Sequence, residues 1–158
     1  MMTKKEFKVS YIEYSSIDEL ETKDAELVRE AIDARSGSFS PYSHFKVGAA
    51  VRLASGVIIK AANQENSAFP SGLCAERNAM FYAASKYPSD PIRSIAIAGG
   101  LEDELAENPV SPCGACRQVM AQYQTNGGQP ITIILVGSKR IWKFHNVESI
   151  LPFIFDNI

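Results

Sequence analysis

Apolar positions along the chain change period several times, and each change marks an element. Between about Thr22 and Arg35, Ala25, Val28, Ala31 and Ile32 recur at helical spacing, with Leu27 and Ala34 widening the stripe and charges on the opposite face. That predicts a first helix, ended near "SGSFSPYS", where Gly37 and Pro41 break the periodicity and a hydroxyl- and aromatic-rich loop follows. "FKVGAAVRLASGVIIKAANQEN" reads as two β-rich runs joined at Ser55-Gly56, a hairpin. A second helix is expected from about Cys74 to Tyr87. After Pro88, "IRSIAIAGG" and "ITIILVG" are short β-branched runs flanking a helix that begins near Gly114 and stops before "TNGGQP". Strands separated by a helix suggest a βαβ unit within a buried parallel sheet. A last strand at Ile141 to Phe144 and a helical turn in "VESILPFIF" close the pattern. Near the start, Phe7, Val9 and Tyr11 alternate, as in a short edge strand or an arm. This gives an N-terminal extension over residues 1–20 and a single domain over 21–158.

Composition narrows the class. The 158 residues are 46% hydrophobic and 22% charged, close to the globular average. No run approaches the roughly 18 consecutive apolar residues of a membrane span. "MMTKKEFKVSYIEY" lacks the apolar block and small-residue cleavage site of a secretory signal, so a soluble, cytoplasmic protein is expected. A net charge of −2 and a pI near 5.7 disfavour a polynucleotide partner.

Three cysteines are too few and too odd in number for a disulfide framework, and reduced thiols point to metal or catalysis. "PCGAC" sets Cys113 and Cys116 three apart at a helix start, where first-turn N–H groups favour thiolate. Alone, this C-x-x-C also suits a redox dithiol or two small buried hydrophobes. Cys74 heads another helix 39 residues earlier, so two helix N-termini converging from neighbouring strands would gather three sulfurs. Three thiolates fill three corners of a tetrahedral Zn²⁺ and leave the fourth for water; a structural site wants a fourth protein ligand. Neither His44 nor His145 has ligand spacing.

Glu76 lies two positions beyond Cys74. From there its carboxylate can reach the open corner without binding metal, taking a proton from the activated water and returning it to substrate. An acidic residue is also a common occupant of a first helical turn. Three thiolates and one Zn²⁺ sum to −1, and a nearby cation is needed to offset that charge. Arg77, hydrogen-bonding a sulfur, and Arg117 are the candidates.

"CAE" at 74–76 and "PCGAC" at 112–116 match the three-cysteine variant of the zinc deaminase signature. With "FSPYSHFKVGAAV", "NQENSAFPSGLCAERNAM", "SPCGACRQV" and "ILPFIF", the chain from about Ala25 to Phe155 resembles the small homotetrameric cytidine deaminases that act on free nucleosides. The resemblance implies an α/β fold of three layers, α/β/α, around a five-stranded mixed sheet, with a Zn²⁺ cofactor. It implies that Asn63 and Glu65 of "NQEN" bind the ribose 3′-hydroxyl and that Phe45 packs on the pyrimidine. It further implies that the Ala75 backbone N–H contacts the base O2 and that Phe155 reaches a neighbouring subunit's pocket. Phe69 stands where relatives often carry tyrosine, and Ala62 and Gln64 replace cysteine and apolar residues common in relatives.

The expected reaction is hydrolytic deamination of cytidine and 2′-deoxycytidine to uridine and 2′-deoxyuridine plus ammonia, a step of pyrimidine salvage, with Glu76 shuttling protons. The rival readings are a deaminase of a cytosine-nucleoside antibiotic resembling blasticidin, a non-catalytic zinc-stabilised binding module that leaves Glu76 idle, and a redox dithiol protein.

Overall fold

A computed structural model of the protein describes residues 1–156. Its sheet contains β1 (Ile12–Tyr14), β2 (Phe45–Leu53), β3 (Ile58–Ala62), β4 (Ile92–Leu101), β5 (Thr132–Val136) and β6 (Ile141–Phe144). These lie in the order β1-β6-β5-β4-β2-β3. β4 and β5 run parallel and every other pair is antiparallel. Helix α1 (Thr22–Ala34) covers one face; α2 (Ala75–Lys86) and α3 (Gly114–Gly127) cover the other.

Strand alternation sorts side chains to the two faces. Ile95 and Ile97 of β4, Ile133 and Leu135 of β5, and Ala49, Val51 and Leu53 of β2 pack against Ala79, Met80, Ala83, Cys116 and Met120 of α2 and α3. Their neighbours Ala50, Ala96, Ala98, Ile134 and Val136 meet Leu27, Val28 and Ala31 of α1. Small residues on that face let α1 approach closely, most of all at Gly48. There a Cβ would run into the Ala31 carbonyl oxygen and lie 2.7 Å from the Arg35 nitrogen.

The expected hairpin is β2–β3, turned at Gly56 in the left-handed region (φ 94). The βαβ unit is β4–α3–β5. Helix α3 runs through Gly127, past the stop expected before Thr125, because the left-handed Gly128 (φ 63) supplies its C-cap. The turn in "VESILPFIF" is a 3₁₀ turn, Val147–Ser149, capped by the Asn146 side chain.

Among the described residues the sheet has six strands, which corrects the expectation of five. The sixth is β1, contributed by the extension, but it begins at Ile12, just past the Phe7–Tyr11 alternation. Ile12, Glu13 and Tyr14 oppose Lys143, Trp142 and Ile141. Cross-strand partners fix that register. The Tyr11 ring lies 5.4 Å from Trp142 and 5.3 Å from Phe144, and Trp142 Nε1 donates to Glu13 Oε2 at 2.7 Å. Phe7 and Val9 have no such partners and stay half exposed.

Candidate active site

Cys74 and Cys113 are the N-caps of α2 and α3, each in extended backbone, and neither side chain makes a capping hydrogen bond. Both sulfurs are thereby free to turn towards each other across the two helix starts. Cys74 Sγ lies 3.9 Å from Cys113 Sγ, which lies 3.5 Å from Cys116 Sγ, one turn into α3. All three lie within 4.8 Å of one another. Tetrahedral Zn²⁺ with bonds of about 2.3 Å would separate its sulfur ligands by about 3.8 Å, so the spacing fits the ion. Cys116 is buried and Cys113 exposed, leaving the cluster accessible from one side.

Charge is unevenly shared among the thiols. Cys74 is lowered to about 5, first by hydrogen bonding from the Cys116 thiol and then, against the cost of its burial, by Arg77, whose Nη2 lies 3.5 Å from its sulfur. The same Cys74 bond, together with burial and the nearby Glu76 charge, pushes Cys116 upward. Without metal, one thiolate is held by a neighbouring thiol and a guanidinium. A divalent cation supplies the charge needed to ionise the rest.

Glu76 is 4% exposed in the first turn of α2, and burial raises its carboxyl above the ordinary range. Ala75, beside it, is fully buried. Arg77 meets the sulfur as expected, and its Nε is buried without a hydrogen-bond partner. Arg117 does not meet the sulfurs: its guanidinium donates to the carbonyls of Pro112 (2.9 Å) and Ile150 (2.7 Å), bracing the C-terminal segment.

A cleft of 510 Å³ runs up to Cys74 and is lined among others by Tyr42, Asn63, Glu65, Phe69 and Leu73. Glu65 Oε2 accepts from the backbone N–H groups of Tyr42 (2.9 Å) and Ser43 (3.2 Å). Hydrogen bonding by the Ser43 side chain and the Tyr42 backbone holds its carboxyl below the usual range. The cleft therefore joins Asn63 and Glu65 to the cysteine cluster. Phe45 does not line it: the ring lies against β4, its Cε1 3.1 Å from where a Cβ on Gly99 would stand. Phe155 also lies elsewhere, its backbone gripped by the Gln118 side-chain amide at 2.8 and 3.2 Å and its ring largely exposed.

Sequence reasoning missed the Tyr42 and Ser43 backbone donors, Ser38 behind Asn63, and Gln118. Only the hydroxyl-rich character of the 36–43 loop hinted at the first three.

A family profile described as "Cytidine and deoxycytidylate deaminase zinc-binding region" matches residues 21–127. The chain belongs to the cytidine and deoxycytidylate deaminase family. It is similar to a cytidine deaminase of Halalkalibacterium halodurans, 45% identical over 96 residues, or 61% of this chain and 68% of that protein. A cytidine deaminase of Sporosarcina psychrophila is 45% identical over 105 residues, 66% of this chain and 72% of the relative. The crystal structure of a cytidine deaminase from Burkholderia pseudomallei matches with TM-score 0.71 and 33% identity, covering 82% of this chain and 97% of that one. Zinc is the cofactor that this family and the clustered sulfurs call for. The extension, residues 1–20, precedes the matched region. Among the described residues no helix is long and apolar enough to cross a membrane.

Proposed function

We propose that the protein hydrolytically deaminates cytidine and 2′-deoxycytidine, giving uridine or 2′-deoxyuridine and ammonia, and so serves pyrimidine salvage in the cytoplasm. The observation that carries this reading is the buried carboxyl of Glu76 beside three converging sulfurs, one of which, Cys74, lines the cleft that also bears Asn63 and Glu65.

Cys74, Cys113 and Cys116 would hold the zinc, which when bound supplies a Lewis acid that makes water a nucleophile near neutral pH. Glu76 takes a proton from the attacking water and delivers it to N3 of the base. The same carboxyl then takes the remaining proton from the hydroxyl added at C4 and passes it to the departing amine as the C4 carbonyl forms, so a single buried group serves as base and acid in turn. Its raised affinity for protons suits both halves of that task. Arg77 draws negative charge from Cys74. Asn63 and Glu65 hold the ribose 3′-hydroxyl, and the Ala75 N–H meets the base O2.

Among the described residues the cleft lining includes no lysine or arginine, and it bears the Glu65 carboxylate. That environment favours a free nucleoside over a nucleotide, whose phosphate would meet no cation there. "NQEN" favours an ordinary ribose over the sugar of a blasticidin-like antibiotic. Phe81 and Tyr82 on the outer side of α2, with Phe69 and Phe155, leave broad aromatic surface exposed on one chain. Exposed aromatic surface of this kind is what packing between copies would cover, and it supports a homotetramer in which Phe155 enters a neighbour's site.

The test is zinc stoichiometry measured beside ammonia release from cytidine, deoxycytidine, cytidine monophosphate and blasticidin. One zinc per chain with comparable rates on the first two substrates is expected. Zinc without release from any of them would make the protein a binding module.

A further inference from the structure

The side-chain amide of Asn63 has one orientation available. Its Oδ1 accepts from the Val47 backbone N–H at 2.8 Å, and its Nδ2 donates to the Phe45 carbonyl at 2.9 Å. Exchanging the two ends would set donor against donor and acceptor against acceptor. The second lone pair of Oδ1 is taken by Ser38 Oγ at 2.6 Å, and Ser40 Oγ lies 3.1 Å from Ser38 in the same network. Oδ1 is then saturated, and one Nδ2 hydrogen remains. Glu65 is constrained in the complementary way: Oε2 is occupied by two backbone donors, leaving Oε1 to accept.

We propose that Ser38, on the loop after α1 and outside the cleft lining, is a positioning residue that fixes the direction in which the site reads a hydroxyl. With Oδ1 filled, Asn63 can meet substrate only as a donor and Glu65 only as an acceptor. The pair therefore selects a group that both donates and accepts, which is a hydroxyl. Removing the Ser38 hydroxyl reopens Oδ1 as a competing acceptor for the substrate's proton or for water, and loosens the amide from the loop. The inference rests on the nucleoside deaminase reading and specifies its sugar contact.

The test compares kcat and KM for cytidine and 3′-deoxycytidine in the unsubstituted protein and in Ser38→Ala, each checked for zinc content. Ser38→Ala is expected to raise KM for cytidine about 3- to 10-fold, the worth of one hydrogen bond, with kcat held. Both constants for 3′-deoxycytidine should stay unchanged, so the preference for the 3′-hydroxyl shrinks by the same factor. Ser38→Thr and Ser38→Val, alike in shape and differing in the hydroxyl, give the comparison at constant volume, with the preference higher in the threonine form. Equal losses on both substrates, or no difference between the Thr and Val forms, would assign Ser38 a merely structural role and overturn the proposal. Absence of deamination by the unsubstituted protein would overturn the nucleoside reading itself and this inference with it.

Discussion

Arg77 places Nη2 3.5 Å from Cys74 Sγ, one turn along the same helix; after the Cys116 thiol, this contact helps lower the Cys74 thiol, and it raises the guanidinium in return. A thiolate that shares its charge with a guanidinium donates less of it to a metal, which leaves the metal a stronger Lewis acid. Arg77→Gln is expected to retain stoichiometric zinc while turnover on cytidine falls about 10- to 100-fold. Metal analysis and steady-state kinetics on one preparation check this; undiminished turnover would show that the guanidinium is not needed.

Glu76→Gln keeps the shape of the side chain and removes its proton transfer. Turnover should fall by a factor of about 10² to 10⁴ with zinc retained. Wild-type rates in this variant would sink the proton-shuttle role.

The Glu65 carboxyl is held below its ordinary range by the Ser43 side chain and the Tyr42 backbone, and the sign of the pH effect follows. A lowered value means that the accepting, ionised form persists on acidification and is lost only below the usual carboxylate pKa of about 4.3. The preference for cytidine over 3′-deoxycytidine should hold constant down to about pH 5. In Ser43→Ala the preference should begin to fall at a higher pH than in the unsubstituted protein; identical profiles would count against the Ser43 contact.

Gly48 is required by the approach of α1. A Cβ there meets helix backbone, which cannot yield as a flexible side chain can. Gly48→Ala should cost about 3 kcal/mol, the upper end of ordinary overpacking, measured by urea denaturation at constant zinc.

Deleting residues 1–14 removes β1 with its Tyr11 and Glu13 contacts to β6. Cross-strand and aromatic pairs of this kind contribute about 1–2 kcal/mol together, so the melting midpoint should drop by several degrees. Turnover should be unaffected, because β1 lies at the sheet edge opposite β3, beyond which Asn63 and Glu65 follow. A loss of activity at an unchanged midpoint would reverse that assignment.

Most of the fold was legible, because α1 buries a stripe that its spacing announces and β4 and β5, buried on both faces, stand out as continuous β-branched runs. Periodicity could not set the register of β1, which depends on where Tyr11 and Glu13 find Trp142 in a strand some 130 residues away. The three sulfurs and Glu76 were legible because all four sit at or just inside helix starts, where sequence position nearly fixes location. Ser38 and Gln118 were not. Their partners, Asn63 and Phe155, lie 25 and 37 residues off, and a serine or glutamine carries no local sign of such a partner. Arg117 shows the opposite failure: it is adjacent to a ligand in sequence, yet its side chain is drawn to the Ile150 carbonyl.

Neither helix bearing the cluster is closed at its start by an ordinary oxygen acceptor; each begins instead on a cysteine whose side chain faces the other. The ion that would complete the chemistry would also tie these two helix ends together. Metal starvation should then be felt first as proteolytic loss of the polypeptide, so its abundance would track zinc supply even where no substrate is being consumed.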